Sequence, residues 1–147
     1  MTYQYKFEKI LTVREKEKQD AYSKYTESLK KFEEVAGNLY EFLRRKEEMQ
    51  AFQQLKMNEG LSVFEIRHHQ RFMDNLEEMI SHYQKEVIIA RNHMNKFQNI
   101  LIEKNVEVKK YEKIREKDYD RFLDEVKMYE NAQMDDISIQ TYLSKEN

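Results

Sequence analysis

The chain has 147 residues and a formal net charge of −2, with 37% Asp, Glu, Lys and Arg, two Gly, and no Pro, Cys or Trp. So few turn formers exclude a many-stranded β protein, while 39% hydrophobic and 12% aromatic residues make the chain too apolar to be disordered throughout. Acids and bases interleave along the whole length, which leaves no broad basic face for nucleic acid; the lack of Cys fits a reducing compartment.

The opening residues Met1-Thr2-Tyr3-Gln4-Tyr5 contain no apolar leader, and no hydrophobic run approaches the ~20 residues that cross a bilayer. The expectation is a cytoplasmic protein. A first helix is predicted over 1–58. Counting heptads from Leu11, its a positions include Tyr25, Phe32 and Leu39, and its d positions include Phe7, Ala21, Val35, Phe42 and Met49. Gly37 lies inside this repeat and is read as tolerated within the helix, at a cost of roughly 1 kcal/mol against Ala. Tyr22, Leu29, Ala36 and Leu43 form an apolar strip at the e flank.

A turn is predicted at 59–62. Gly60 suits a helix C-terminus that needs a left-handed residue, and Ser62-Val63-Phe64-Glu65 spells a capping box that starts a new helix. The second helix is predicted over 63–133. Its a column is Met73, Ile80, Val87, Met94, Leu101, Val108, Arg115, Phe122 and Tyr129; its d column holds Leu76, Tyr83, Ala90, Phe97, Lys104 and Tyr111. A repeat of 3.5 residues sustained this far specifies a left-handed coiled coil. Residues 134–147 read as a tail and a candidate for disorder.

A short connection favours antiparallel neighbours. Folding back at Gly60-Leu61 sets residues whose numbers sum to about 122 opposite each other, so that every a layer meets a d layer. Phe32 then faces Ala90, Val35 faces Val87, and Leu11 faces Tyr111. One layer sets Lys18 against Lys104, either a loose point or a place for a partner's acid. Helix one can pair down to about Tyr3, opposite Tyr119, so the second helix is unpaired beyond about 119. At ~1.5 Å per residue that helix extends for roughly 105 Å, and its overhang still carries Tyr119, Phe122, Val126 and Tyr129. The fold class is all-α: a long antiparallel two-helix coiled-coil hairpin with an overhanging C-terminal half of helix two.

Little in this pattern supports catalysis. Glu65-x-x-His68 has half the spacing of a di-iron carboxylate site, but no second Glu-x-x-His exists. The four histidines, His68, His69, His82 and His93, fall mostly on outer positions and read as solvated surface. With no Cys nucleophile and no Gly-rich phosphate loop, no catalytic residue, metal site or cofactor is expected, and the chain reads as a binding protein rather than an enzyme. Phe52, Phe72 and Met79 occupy g flanks near the turn; with Leu76 and Tyr83 they extend into an apolar strip where charge is the rule. That strip is either a docking surface or a slightly widened core.

Tyr5-Lys6-Phe7-Glu8-Lys9-Ile10-Leu11-Thr12-Val13-Arg14-Glu15 resembles the start of the FliJ family of flagellar export proteins, in its Bacillus-type form. So do Gly60-Leu61-Ser62, the stretch His68-His69-Gln70-Arg71-Phe72-Met73-Asp74-Asn75-Leu76, and Val106-Glu107-Val108-Lys109-Lys110-Tyr111-Glu112-Lys113. Met134-Asp135-Asp136 is similar to the family's Met-Asp-Glu, with Asp136 in place of the Glu.

The resemblance implies an antiparallel coiled coil similar to the central stalk of rotary ATPases, serving the flagellar type III export apparatus. It implies a location in the cytoplasm, at the inner face of the membrane, held there only through partners. Those partners are the export ATPase hexamer, whose ring receives the two termini, the membrane export gate protein, and export chaperones. The implied gate contacts are Phe72, Leu76, Met79 and Tyr83, with Phe42 and Met49 on helix one; Arg45 and Asn38 depart from the family pattern. The implied ring contacts are Phe7, Leu11, Arg14, Phe122, Val126, Met134 and Asp135. A free cytosolic coiled-coil chaperone and a structural spacer are the competing readings.

Overall fold

The computed structural model describes residues 2–146. Two helices account for nearly all of them: α1, Glu8–Glu59, and α2, Val63–Glu146. Without Pro to remove a donor, and with long runs of Glu, Lys, Gln, Leu and Met, nothing inside either segment interrupts the backbone ladder. The reversal occupies only Gly60, Leu61 and Ser62. Gly60 has φ 91°, a conformation that strains any residue with a Cβ. The Ser62 hydroxyl accepts from the Glu65 amide at 3.1 Å while the Glu65 carboxylate accepts from the Ser62 amide at 3.4 Å, the reciprocal capping expected of this sequence.

The helices pack as two compact units. The turn unit covers residues 20–101. Its core joins Val35, Val87 and Ala90, with Phe32, Ala36 and Leu39 packed against them, and Met73, Leu76 and Ile80 are also buried. The second unit, here the base unit, consists of residues 2–19 and 102–146. Its core is Tyr5, Leu11 and Val108, flanked by Tyr3, Phe7, Tyr111 and Ile114.

Within each unit the helical pairing is antiparallel and the inferred register holds. Lys46 lies 3.8 Å from Glu77 in the turn unit. In the base unit Glu8 lies 3.9 Å from Arg115, Arg14 lies 4.0 Å from Glu107, and Tyr3 packs on Tyr119. The numbers of each facing pair sum to between 121 and 123.

Three features depart from the expectations. Residues 2–5 are not helical. Tyr3 and Tyr5 both turn toward α2, as alternate residues of an extended backbone can, and the turn at Lys6-Phe7, closed by the Glu8 amide donating to the Tyr5 carbonyl at 3.3 Å, brings Phe7 against the same core. Next, α2 does not stop at Gln133 but continues to Glu146, since Met134–Glu146 contains neither Gly nor Pro to end it. Third, Lys104 does not confront Lys18. Its ammonium donates to Glu17 Oε2 at 3.3 Å, so the chain's own acid fills the layer.

Candidate partner-binding surfaces

In the turn unit the heptad positions decide which residues of the apolar strip face outward. Leu76 and Tyr83 are at d: Leu76 is buried, and Tyr83 is half-buried with its ring stacked on Phe42 at 5.3 Å and 20°. Phe52, Phe72 and Met79, at g, are 50%, 42% and 39% exposed, and they are the residues of the strip that present apolar surface outward. Arg45 lies over the outer side of Phe42 at 5.1 Å, while His82 meets Tyr83 edge-on. Met49 is half-buried. The strip is therefore three exposed g residues beside a floor of buried Leu76 and half-buried Tyr83 and Phe42, not a continuous exposed band. Of the e flank, Tyr22 and Leu43 are exposed, whereas Leu29 and Ala36 are half-buried.

The same unit holds apolar surface that heptad analysis alone did not indicate. Leu55, Met57, Val63, Phe64 and Ile66 are exposed around the turn, Phe64 at 80%. Phe52, Leu61 and Phe64, with Lys56, His68 and His69, border a cleft of about 270 Å³. His69 corrects the expectation of four surface histidines: it is buried at a d position, packs against Phe52 at 6.4 Å, and its Nε2 has no hydrogen-bond partner among the described residues. Its heptad position, one repeat before Leu76, was the available signal.

In the base unit the non-helical arm is held to α2 by its tyrosines. The Tyr5 hydroxyl donates to the Tyr111 carbonyl at 2.8 Å. The Tyr3 hydroxyl lies 3.3 Å from Asp118 Oδ2 and 3.4 Å from the Arg115 carbonyl. Two residues of extended chain advance ~6.7 Å and four helical residues ~6 Å, which is why alternate tyrosines meet carbonyls one turn apart. Burial pushes both phenols above their ordinary pKa, and the Asp118 charge adds to the effect. The Tyr3 ring also sits 5.1 Å from Tyr119 and 5.3 Å from Phe122, so the arm extends the pairing as far as Phe122.

The expected ring contacts fall into three groups. Leu11 is sealed in the core at 1% exposure and presents no surface, because the arm and Val108 close over it. Phe7, Arg14, Phe122 and Val126 are half-buried, with Arg14 tied to Glu17 at 3.0 Å. Met134 and Asp135 are exposed on the last stretch of α2, where every described residue from Lys127 onward is exposed. This stretch carries Met128, Tyr129, Met134, Ile137, Ile139, Tyr142 and Leu143, more than half exposed in each case.

Among the described residues no three His, Asp or Glu side chains converge as metal ligands would, and no helix is long and apolar enough to cross a membrane. The family profile described as "Flagellar FliJ protein" matches residues 3–147. A relative named "Flagellar FliJ protein" from Bacillus subtilis (strain 168) is 48% identical over 143 residues, covering 97% of this chain and 97% of the relative. No solved structure matches the chain.

Proposed function

From the premise that this chain belongs to the FliJ family and is a component of the flagellar export apparatus, we propose that it is the non-enzymatic stalk of that apparatus. In this reading the base unit enters the ring of the export ATPase hexamer, promoting ring assembly and ATP hydrolysis. The turn unit meets the membrane export gate through Phe72 and Met79, and export chaperones dock on the same protein. The stalk stays in the cytoplasm, at the inner membrane face, through these partners.

The observation that supports the reading is the end of α2. A helix of twenty residues, Lys127–Glu146, carries seven large apolar side chains and no partner among the described residues. A helix that exposes large apolar side chains without a mate commonly serves as a docking element, and one that exposes them on several sides suits enclosure rather than a flat surface. Such a stalk needs no chemistry of its own. It couples ring states to one another only by binding them unequally.

The reading is tested by measuring ATP hydrolysis by the purified export ATPase with and without the chain. Full-length protein is expected to raise the rate, and a version truncated after Lys117 to leave it at the basal level. Equal stimulation by the truncated form would remove the support that the end of α2 gives. A client-holding chaperone is the second reading, favoured by the exposed apolar residues around the turn. It predicts that Phe64→Ala weakens client capture, with no effect on ATP hydrolysis by any form of the chain.

A further inference from the structure

We propose that Thr2–Gln4 form a displaceable latch over the Tyr119–Phe122 face of α2, which the ring must lift before it grips Phe122. The inference rests on the reading of Phe122 as a ring contact.

The arm is held unevenly. Tyr5 is its anchor: buried, with a 2.8 Å hydrogen bond to Tyr111, and followed at once by the first helical turn. Outward of Tyr5 the hold weakens. Among the described residues, Thr2, Tyr3 and Gln4 make no backbone–backbone hydrogen bond, Thr2 and Gln4 are exposed, and the Tyr3 hydroxyl divides itself between two acceptors at 3.3 and 3.4 Å. What remains is the Tyr3 ring against Tyr119 and Phe122. A segment held by one side chain opens far more often than the helices beneath it.

The latch also occupies the surface in question. Tyr3 lies against the ring of Phe122, and the cleft beside them is bordered by Thr2, Gln4, Asp118, Arg121 and Glu125. A partner that covers the side of Phe122 held by Tyr3 must take the place of the Tyr3 ring, because that side cannot be covered twice. Tyr5 then acts as the pivot and Thr2–Gln4 swing away. The affinity the partner shows is its intrinsic affinity scaled by the fraction of open latch.

Binding of the full chain to the purified export ATPase, measured by titration, gives opposite signs for a latch and for an arm that is itself part of the contact. Tyr3→Ala is expected to tighten binding by about tenfold, because the open fraction rises toward unity. Thr2→Cys/Glu125→Cys, joined by a short bismaleimide in this Cys-free chain, is expected to bind at least about tenfold more weakly than the same variant left unjoined, because its open fraction falls toward zero. Weaker binding by Tyr3→Ala, or wild-type binding by the joined form, overturns the latch. Phe122→Ala separates the two ideas. If it binds as wild type, Phe122 is not a ring contact and the latch falls with that reading; if it loses binding while Tyr3→Ala also weakens, the reading stands and only the latch fails.

Discussion

Glu17 and Lys104, on different helices of the base unit, meet at 3.3 Å at a core level where the heptad pattern alone sets lysine against lysine. The lysine's hydrogen bond, helped by the charge of Arg14 and opposed by partial burial, holds the Glu17 carboxyl below its ordinary pKa of 4.5. A carboxyl depressed in the folded state adds stability that is present above 4.5 and is lost as pH falls through the lowered folded value. Thermal melting between neutral and strongly acidic pH is expected to show this loss in the wild type. Glu17→Gln should melt lower at neutral pH and show a flatter acid limb; parallel curves for the two proteins would refute the assignment.

The two glycines make opposite demands. Gly37 lies inside α1, and a Cβ there meets nothing within 4 Å, so Gly37→Ala should stabilise by about 1 kcal/mol through helix propensity. Gly60 has equal room but a positive φ, so Gly60→Ala should destabilise by about 1 kcal/mol or more. Denaturant midpoints of both variants test the contrast, and a shift of the same sign in both would contradict it.

Leu11 and Phe72 separate core from contact. Leu11→Ala empties a sealed site and should cost about 3 kcal/mol. Phe72→Ala and Met79→Ala, on an open flank, should cost less than about 1 kcal/mol and keep the melting temperature near wild type. Their effect is expected in binding to the purified gate protein, where the double variant should lose at least about tenfold in affinity. Unchanged gate binding would remove Phe72 and Met79 from the proposed site.

His69 is polar at a position that packing treats as apolar. Its Nε2 is buried without a partner among the described residues, so His69→Leu should raise stability by about 1 kcal/mol, measured by denaturant titration. A loss of stability would show that the imidazole is satisfied there.

The parts of this molecule legible in the sequence were those fixed by periodicity. Heptads running from Phe7 to Met49 and from Met73 to Tyr129 fix both helices, and the capped turn at Gly60–Ser62 fixes their register, as the Arg14–Glu107 and Lys46–Glu77 pairs bear out. The rest depended on information that a 3.5-residue template discards. The alternation of Tyr3 and Tyr5 before the turn at Lys6-Phe7 marks a non-helical arm, yet it is short enough to be absorbed into the neighbouring helix. Glu17 lies beside, not in, the core column, so its reach to Lys104 depends on side-chain length. The candidate strip is visible in the sequence because Phe72 and Met79 break the charge rule of coiled-coil flanks. Its division into exposed and buried halves followed from the same heptad letters, g against d.

The three-residue reversal at Gly60 also sets an order in time. Each α1 residue meets a partner whose distance along the chain grows by two for every step away from the turn, and Tyr3 waits for Tyr119. Loop closure is cheapest near the turn, so Met49, Phe42 and Val35 are expected to find their mates early and the arm to close last. On a ribosome the arm is made before the segment of α2 that covers it. Tyr3, Tyr5 and Phe7 leave the exit tunnel long before residues 111–122 exist, and during that interval the chain's most aromatic stretch is on offer to any chaperone that reads apolar peptides.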